Sequence, residues 1–235
     1  MFHYEKAWQG VIARIARAAT EAGRDPADVR LLAVGKTFPA EAIRAVHALG
    51  QRAFGENYVQ EGAAKANALS DLPDIEWHLI GPLQSNKAAV AASRFAWVHT
   101  VDRLKIAERL SVARSSDAPP LSVCVQVNTS FEASKSGVAP DEAVALATAV
   151  AALPRLSLRG IMGIPEPTDD IDRRRAQFRR LRECLDACRA AGLPVDTLSM
   201  GMSADLEDAI AEGATLVRVG TSIFGAREKP AREAR

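Results

Sequence analysis

The stretch RLLAVGKTFPAEAIRAVHALG, residues 30–50, reads as one strand followed by one helix. A run rich in Leu, Ala and Val ends in Lys36, Pro39 presets the first helical turn, and Gly50 stops the helix. Units of the same kind recur along the chain. Further β-like runs are RAFGEN (52–57), IEWHLIG (75–81), FAWVHTVD (95–102), LSVCVQVN (121–128), LSLRGIMGI (156–164), VDTLSM (195–200) and TLVRVG (215–220). The helical stretches between them have recognisable ends, such as DEAVALATAVAALP (141–154), which stops at Pro154, and a long charged segment at 170–191, which stops at Gly192 and Pro194. An amphipathic helix with Trp8, Val11, Ile12, Ile15 and Ala19 on one face precedes the first strand. Eight strand–helix units of roughly 25–30 residues each predict an α/β fold, a closed (β/α)8 TIM barrel with an extra N-terminal helix. A doubly wound open sheet is the alternative.

The chain has 235 residues, 48% hydrophobic and 25% charged, enough for one domain with a sizeable core. A single barrel is expected over 1–227, with a polar tail at 228–235 expected to fray. Thirty basic residues against 29 acidic ones give no bulk field to attract nucleic acid or an anionic membrane. No apolar run approaches the ~18 residues of a membrane span. The first 25 residues carry Glu5, Lys6, Arg14, Arg17, Glu21 and Arg24 in place of a signal-peptide centre, so a cytoplasmic protein is expected. Three cysteines make no disulfide framework. Cys184 and Cys188 lie four apart on a predicted helix without further ligands, so no metal is expected and the thiols read as inert.

In such barrels ligands bind at the carboxyl ends of the strands. Alternation puts Leu32, Val34 and Lys36 on one face, as it does Ala53, Gly55 and Asn57, Cys124, Gln126 and Asn128, and Leu216, Arg218 and Gly220. If these are the lumen faces, Lys36, Asn57, Asn128 and Arg218 point to the mouth. Lysine is rarely buried without a partner, so Lys36 at the end of an apolar strand reads either as a site residue or as a lysine merely snorkelling at the rim. Late in the chain, SMGMSADLEDAI offers Gly201 and the Ser203 hydroxyl as a helix N-cap, and RVGTSIFG offers Gly220, Thr221 and Ser222 at a short helical turn. Segments after strands seven and eight form the usual phosphate cradle of these barrels, although glycines placed only for tight turns give the same pattern. His78, two residues after Glu76, reads as a hydrogen-bonded core histidine. Asp102, near His99, reads as a helix cap, and the polar segment at 129–137 with Lys135 reads as a mobile lid.

The strings AVGKT (33–37), FGENYVQE (54–61), WHLIGPLQSNK (77–87), QVNTSFEASKSG (126–137), LSMGMSADLEDAI (198–210) and RVGTSIFGAR (218–227) resemble, in order and over nearly the whole chain, the YggS/PROSC family of pyridoxal phosphate homeostasis proteins. The resemblance implies a fold-type III barrel like the N-terminal domain of alanine racemase. It implies pyridoxal 5'-phosphate (PLP) as cofactor, with Lys36 as the lysine of the internal aldimine. Ser203, Gly220 and Thr221 match the phosphate positions, Arg218 the arginine facing the pyridine nitrogen, and Asn57 an asparagine near the ring. Gly35 stands where the family usually has Ser, which could loosen the strand end, and Phe38 stands where a polar residue is common.

Burial would lower the amine pKa of such a strand-end lysine and leave it free to attack an aldehyde. An arginine only donates, so against the pyridine nitrogen it keeps that nitrogen unprotonated and the ring a poor electron sink. The expected function is PLP homeostasis, holding the cofactor as a Schiff base and buffering or delivering it without turnover, by a monomer in transient contact with PLP-dependent apo-enzymes. A small PLP-dependent racemase or decarboxylase is the alternative, for which Tyr58 is the one phenol near the mouth. A Schiff-base aldolase is a third reading, against which LRGIMGI carries no lysine.

Overall fold

The computed structural model describes residues 4–130 and 136–226. Eight strands, β1 (Arg30–Val34), β2 (Ala53–Glu56), β3 (Glu76–Leu79), β4 (Trp97–Val101), β5 (Leu121–Val127), β6 (Leu156–Gly163), β7 (Thr197–Met202) and β8 (Leu216–Val219), pair in parallel and in chain order into a closed barrel. β8 returns to β1 with Arg30 opposite Leu216, Leu32 opposite Arg218 and Ala33 opposite Val219. The helices are α1 (Tyr4–Glu21), α2 (Ala40–His47), α3 (Val59–Ala68), α4 (Ala88–Arg94), α5 (Leu104–Ala113), α6 (Ala143–Ala151), α7 (Ile171–Ala190), α8 (Leu206–Ala211) and α9 (Thr221–Phe224). The fold expected from the alternation is the fold observed.

Alternation along each strand divides the core in two. Leu31, Ala33, Phe54, Leu79, Val125, Ile161, Val217 and Val219 point outward and bury against helix residues such as Ile43, Ile106, Phe178 and Leu181. Leu32, Val34, Ala53, Ile80 and Leu216 form an inner cluster, with Trp97, Cys124 and Met162 as a second. The lumen is therefore filled by side chains, as barrels of this size require.

Some local expectations change. β7 continues two residues beyond Met200, because Gly201 takes φ +88° and its missing Cβ lets α8 pack on the strand; a Cβ there would lie 2.5 Å from that of Ala209. Asp205, not Ser203, is the N-cap residue of α8, and its carboxylate accepts instead from the Met202 N–H at 2.6 Å. Asp102 does not cap α5 either: Arg103 is the N-cap residue, and Asp102 pairs with its guanidinium at 2.6 Å. The tail at 228–235, Lys135 and most of the expected lid lie outside the described residues. Among the described residues no helix is long and apolar enough to cross a membrane.

Cys124, Cys184 and Cys188 are all buried free thiols, and burial pushes Cys124 up to about 12, Cys184 up to about 11 and Cys188 upward as well. At pH 8 the native protein should therefore react slowly with a thiolate-selective reagent, and all three thiols should react once denaturant restores pKa values of about 8.5.

Close backbone approach is tightest at Gly81, where a Cβ would sit 2.0 Å from the Asn57 carbonyl oxygen, whereas at Gly10 on α1 it would meet nothing within 4 Å. Gly81→Ala should cost roughly 1–3 kcal/mol or more by parting the ends of β2 and β3. Gly10→Ala should stabilise by about 0.5–1 kcal/mol. Denaturant melts of the two variants check the contrast.

Candidate functional site

The barrel mouth holds a cavity of about 270 Å³ lined by Lys36, Asn57, Ser203, Arg218, Gly220 and Thr221, with Val34, Phe38, Ile80, Ile164 and Met202 as apolar walls. The structure thus brings all six expected site residues together. Lys36 lies two residues beyond β1, and Asn57 directly follows β2. Ser203 follows β7, and Gly220 and Thr221 begin the turn of α9 after β8. Asn128 faces a neighbouring cavity with Gln126 and Thr100, which shares Ile80 and Ile164 with the first, and its Oδ1 accepts from the Ser130 N–H and hydroxyl.

Arg218 is the anchor of the mouth. Only 4% exposed, it donates to the Ser199 carbonyl at 2.6 Å, the Ser199 hydroxyl at 2.8 Å and the Gly163 carbonyl at 2.9 Å. Burial lowers its pKa to about 10, with Asp205 opposing, so it stays protonated at neutral pH. These bonds go to carbonyl and hydroxyl oxygens and none to a carboxylate, which leaves positive charge for a ligand.

Behind Arg218 a hydrogen-bonded chain crosses the lumen. Ser199 Oγ lies 2.9 Å from His99 Nδ1, His99 Nε2 lies 2.8 Å from His78 Nδ1, and His78 Nε2 lies 2.8 Å from Glu76. Burial lowers both imidazole pKa values, that of His99 well below the ordinary range, so both rings are neutral. A guanidinium can only donate and a carboxylate can only accept, so the chain has one direction. The Ser199 hydroxyl donates to His99, the His99 Nε2–H to His78, and the His78 Nε2–H to Glu76. Burial alone would raise Glu76, but the bonds from His78 and Arg30 outweigh it and hold the carboxylate at about 2. His78 is the satisfied core histidine its sequence position suggests, while the contact of His99 with Ser199, one hundred residues away, has no local sequence signal.

The loop after β7 is fixed from outside the barrel. Arg14 on α1 donates to the Ser203 carbonyl at 2.8 Å and pairs with Glu207 through both carboxylate oxygens. The extra N-terminal helix therefore holds the β7–α8 connection from which Ser203 enters the cavity. On the other side Phe38 stacks on Phe224 with ring centroids 5.2 Å apart, joining the Lys36 loop to α9. Gly35 does not loosen the strand end. It is buried, its N–H donates to the Gly55 carbonyl at 3.0 Å, and a Cβ there would approach the Ile43 Cδ1 to 2.3 Å.

The donor set comprises an amine, a guanidinium, an amide and two hydroxyls, with no carboxylate among the described residues lining the cavity. Gly220 packs so closely that a Cβ would lie 3.1 Å from the Val34 carbonyl oxygen. Cationic and hydroxyl donors beside apolar walls suit a flat ring carrying an anion, so the residues present fit pyridoxal phosphate.

Fold and cavity together define a barrel of the alanine racemase type. The family model described as alanine racemase, N-terminal domain, matches residues 10–228. The pyridoxal phosphate homeostasis protein of Pseudomonas aeruginosa is 60% identical over 218 residues, covering 93% of each chain. That of Escherichia coli K12 is 50% identical over 217 residues, 92% of this chain and 93% of its own. PipY of Synechococcus elongatus PCC7942, solved with PLP bound, superposes with a TM-score of 0.78 and 40% identity over 90% of this chain and 100% of its own. The chain belongs to the alanine racemase N-terminal domain family and, within it, to the YggS/PROSC branch of pyridoxal phosphate homeostasis proteins.

Proposed function

We propose that this chain is a pyridoxal phosphate-binding homeostasis protein that holds the cofactor at the barrel mouth and buffers or delivers it. The observation that carries the proposal is one cavity containing a lysine, a buried arginine with charge to spare, and the two hydroxyls Ser203 and Thr221, without a carboxylate. The name of the relatives and the PLP-bound structure of PipY support the same ligand. Lys36 would hold the cofactor covalently as a Schiff base. Ser203, Thr221 and the backbone at Gly220 would hold the phosphate, Arg218 the pyridine nitrogen, and Asn57 the ring edge. Bound pyridoxal phosphate supplies an aldehyde carbon for amines and a ring that can accept electrons when its nitrogen is protonated.

The same geometry favours holding over turnover. Arg218 donates and cannot be the carboxylate that keeps a pyridine nitrogen protonated. A racemase needs a proton-exchanging group on each face of its substrate. Besides Lys36, the cavity lining has no Asp, Glu, His, Cys or Tyr among the described residues, and Tyr58 is 62% exposed. The proposal includes a single barrel domain over 1–227 that acts as a cytoplasmic monomer and meets acceptor apo-enzymes only transiently.

Ser203→Ala combined with Thr221→Ala should remove two hydroxyl donors to a charged group, each worth about 1.5–3 kcal/mol, with the fold intact. Absorbance titrations should show a large loss of affinity for pyridoxal phosphate and a much smaller one for unphosphorylated pyridoxal. Equal losses would place the phosphate elsewhere. Steady racemisation or decarboxylation of any amino acid by the purified protein, abolished in Lys36→Ala, would show an enzyme.

A further inference from the structure

The residue after Lys36 is strained. Thr37 has φ +70°, a left-handed conformation that a β-branched side chain rarely adopts, and the only other non-glycine residue with positive φ among the described residues is Arg155. Such conformations persist where surrounding contacts over-determine them, and they gather at functional sites.

The contacts that hold Thr37 come from α3. The Thr37 N–H donates to Glu61 Oε1 at 2.5 Å, and the same oxygen accepts from Lys65 Nζ at 2.8 Å. Lys65 Nζ also donates to the Gly35 carbonyl and to Glu56 Oε1, both at 2.8 Å. The carbonyl of Gly35 belongs to the peptide plane before Lys36, and the N–H of Thr37 to the plane after it. One cluster therefore grips both peptide planes that flank the Lys36 Cα. Those two planes fix its φ and ψ, and with them the direction in which its side chain leaves the backbone.

The surroundings are built for this grip. Lys65 is 7% exposed and shares the inner face of α3 with Val59 and Gly62, where an apolar residue is the ordinary choice. Gly62 makes room: a Cβ there would meet the Phe95 ring at 2.4 Å and the Glu56 Cβ at 3.2 Å. Glu56 is fully buried, burial raises its carboxyl to about 7 against the opposing bond from Lys65, and its Oε1 gives the Lys65 amine a partner inside.

We propose that Glu61 and Lys65 are positioning residues for Lys36: by holding both flanking peptide planes they keep Thr37 in its strained conformation and aim the Lys36 amine into the mouth cavity. The proposal rests on Lys36 being the cofactor-holding lysine.

The test uses the full-length protein and the variants Glu61→Ala, Glu61→Gln, Thr37→Gly and Glu61→Ala/Thr37→Gly, each checked by thermal melting. Lys65→Met is left aside because it would strand a buried Glu56. In absorbance titrations with pyridoxal phosphate, Glu61→Ala should bind about tenfold more weakly, as expected when the strained loop is released. Glu61→Gln, which keeps an acceptor for the Thr37 N–H, should stay near wild type. Glycine adopts positive φ without strain, so the Glu61→Ala loss should shrink to about threefold or less in the Thr37→Gly background. In the ligand-free protein, hydrogen exchange at the residue 37 amide should speed up in Glu61→Ala, a readout independent of cofactor.

Unchanged affinity and exchange in Glu61→Ala, or a loss just as large in the glycine background, would overturn the proposal while leaving the site standing. A wild-type protein that takes up no pyridoxal phosphate at Lys36 would overturn the site and the positioning role together.

Discussion

Closure of the sheet by β8 against β1 sets the rest of the molecule. The register places Leu32 opposite Arg218, so the strand bearing the mouth arginine and the strand leading to Lys36 are neighbours, although they lie at opposite ends of the sequence. Parallel pairing aligns every carboxyl end at the same rim, so residues from β1, β2, β7 and β8 converge without any loop having to reach across. An open sheet would put β1 and β8 on different edges and the cavity would not exist.

Given that closure, charge governs the mouth. Arg218 gives up hydration to be buried and regains only neutral acceptors from Ser199 and Gly163. The directed chain from Ser199 through His99 and His78 to Glu76 then fixes every proton behind it, so the guanidinium has no rotational choice that would not break a buried bond. A rigid cation bonded to no carboxylate on one wall and a lysine on the other make a site that favours anions. Two outer devices keep the rim in place: Arg14 on the Ser203 loop, and the Phe38–Phe224 stack between the Lys36 loop and α9.

Much of this was legible in the sequence because it follows local periodicity. Strand alternation identified Lys36, Asn57 and Arg218 as rim residues, and the glycines near Ser203 and Thr221 marked the loops after β7 and β8. The helix caps misled, because Ser203 and Asp102 resemble N-caps locally while tertiary partners claim the positions around them. Ser203 offers its carbonyl to Arg14, and Asp102 pairs with Arg103. Gly35 looked like a weak point, whereas the space its missing Cβ leaves is filled by Ile43. The grip on Lys36 is not legible locally for a different reason. A lysine at position 65 in the apolar register of Val59 and Gly62 was a visible signal, but its partners Gly35 and Glu56 lie on other elements.

Borohydride reduction of the protein loaded with pyridoxal phosphate, followed by tryptic peptide mapping, decides whether Lys36 holds the ligand. A stable adduct on the peptide containing Lys36, lost in Lys36→Ala, is the expected result. Recovery of the label mainly on Lys87 or Lys135, or labelling spread evenly over surface lysines, would contradict it.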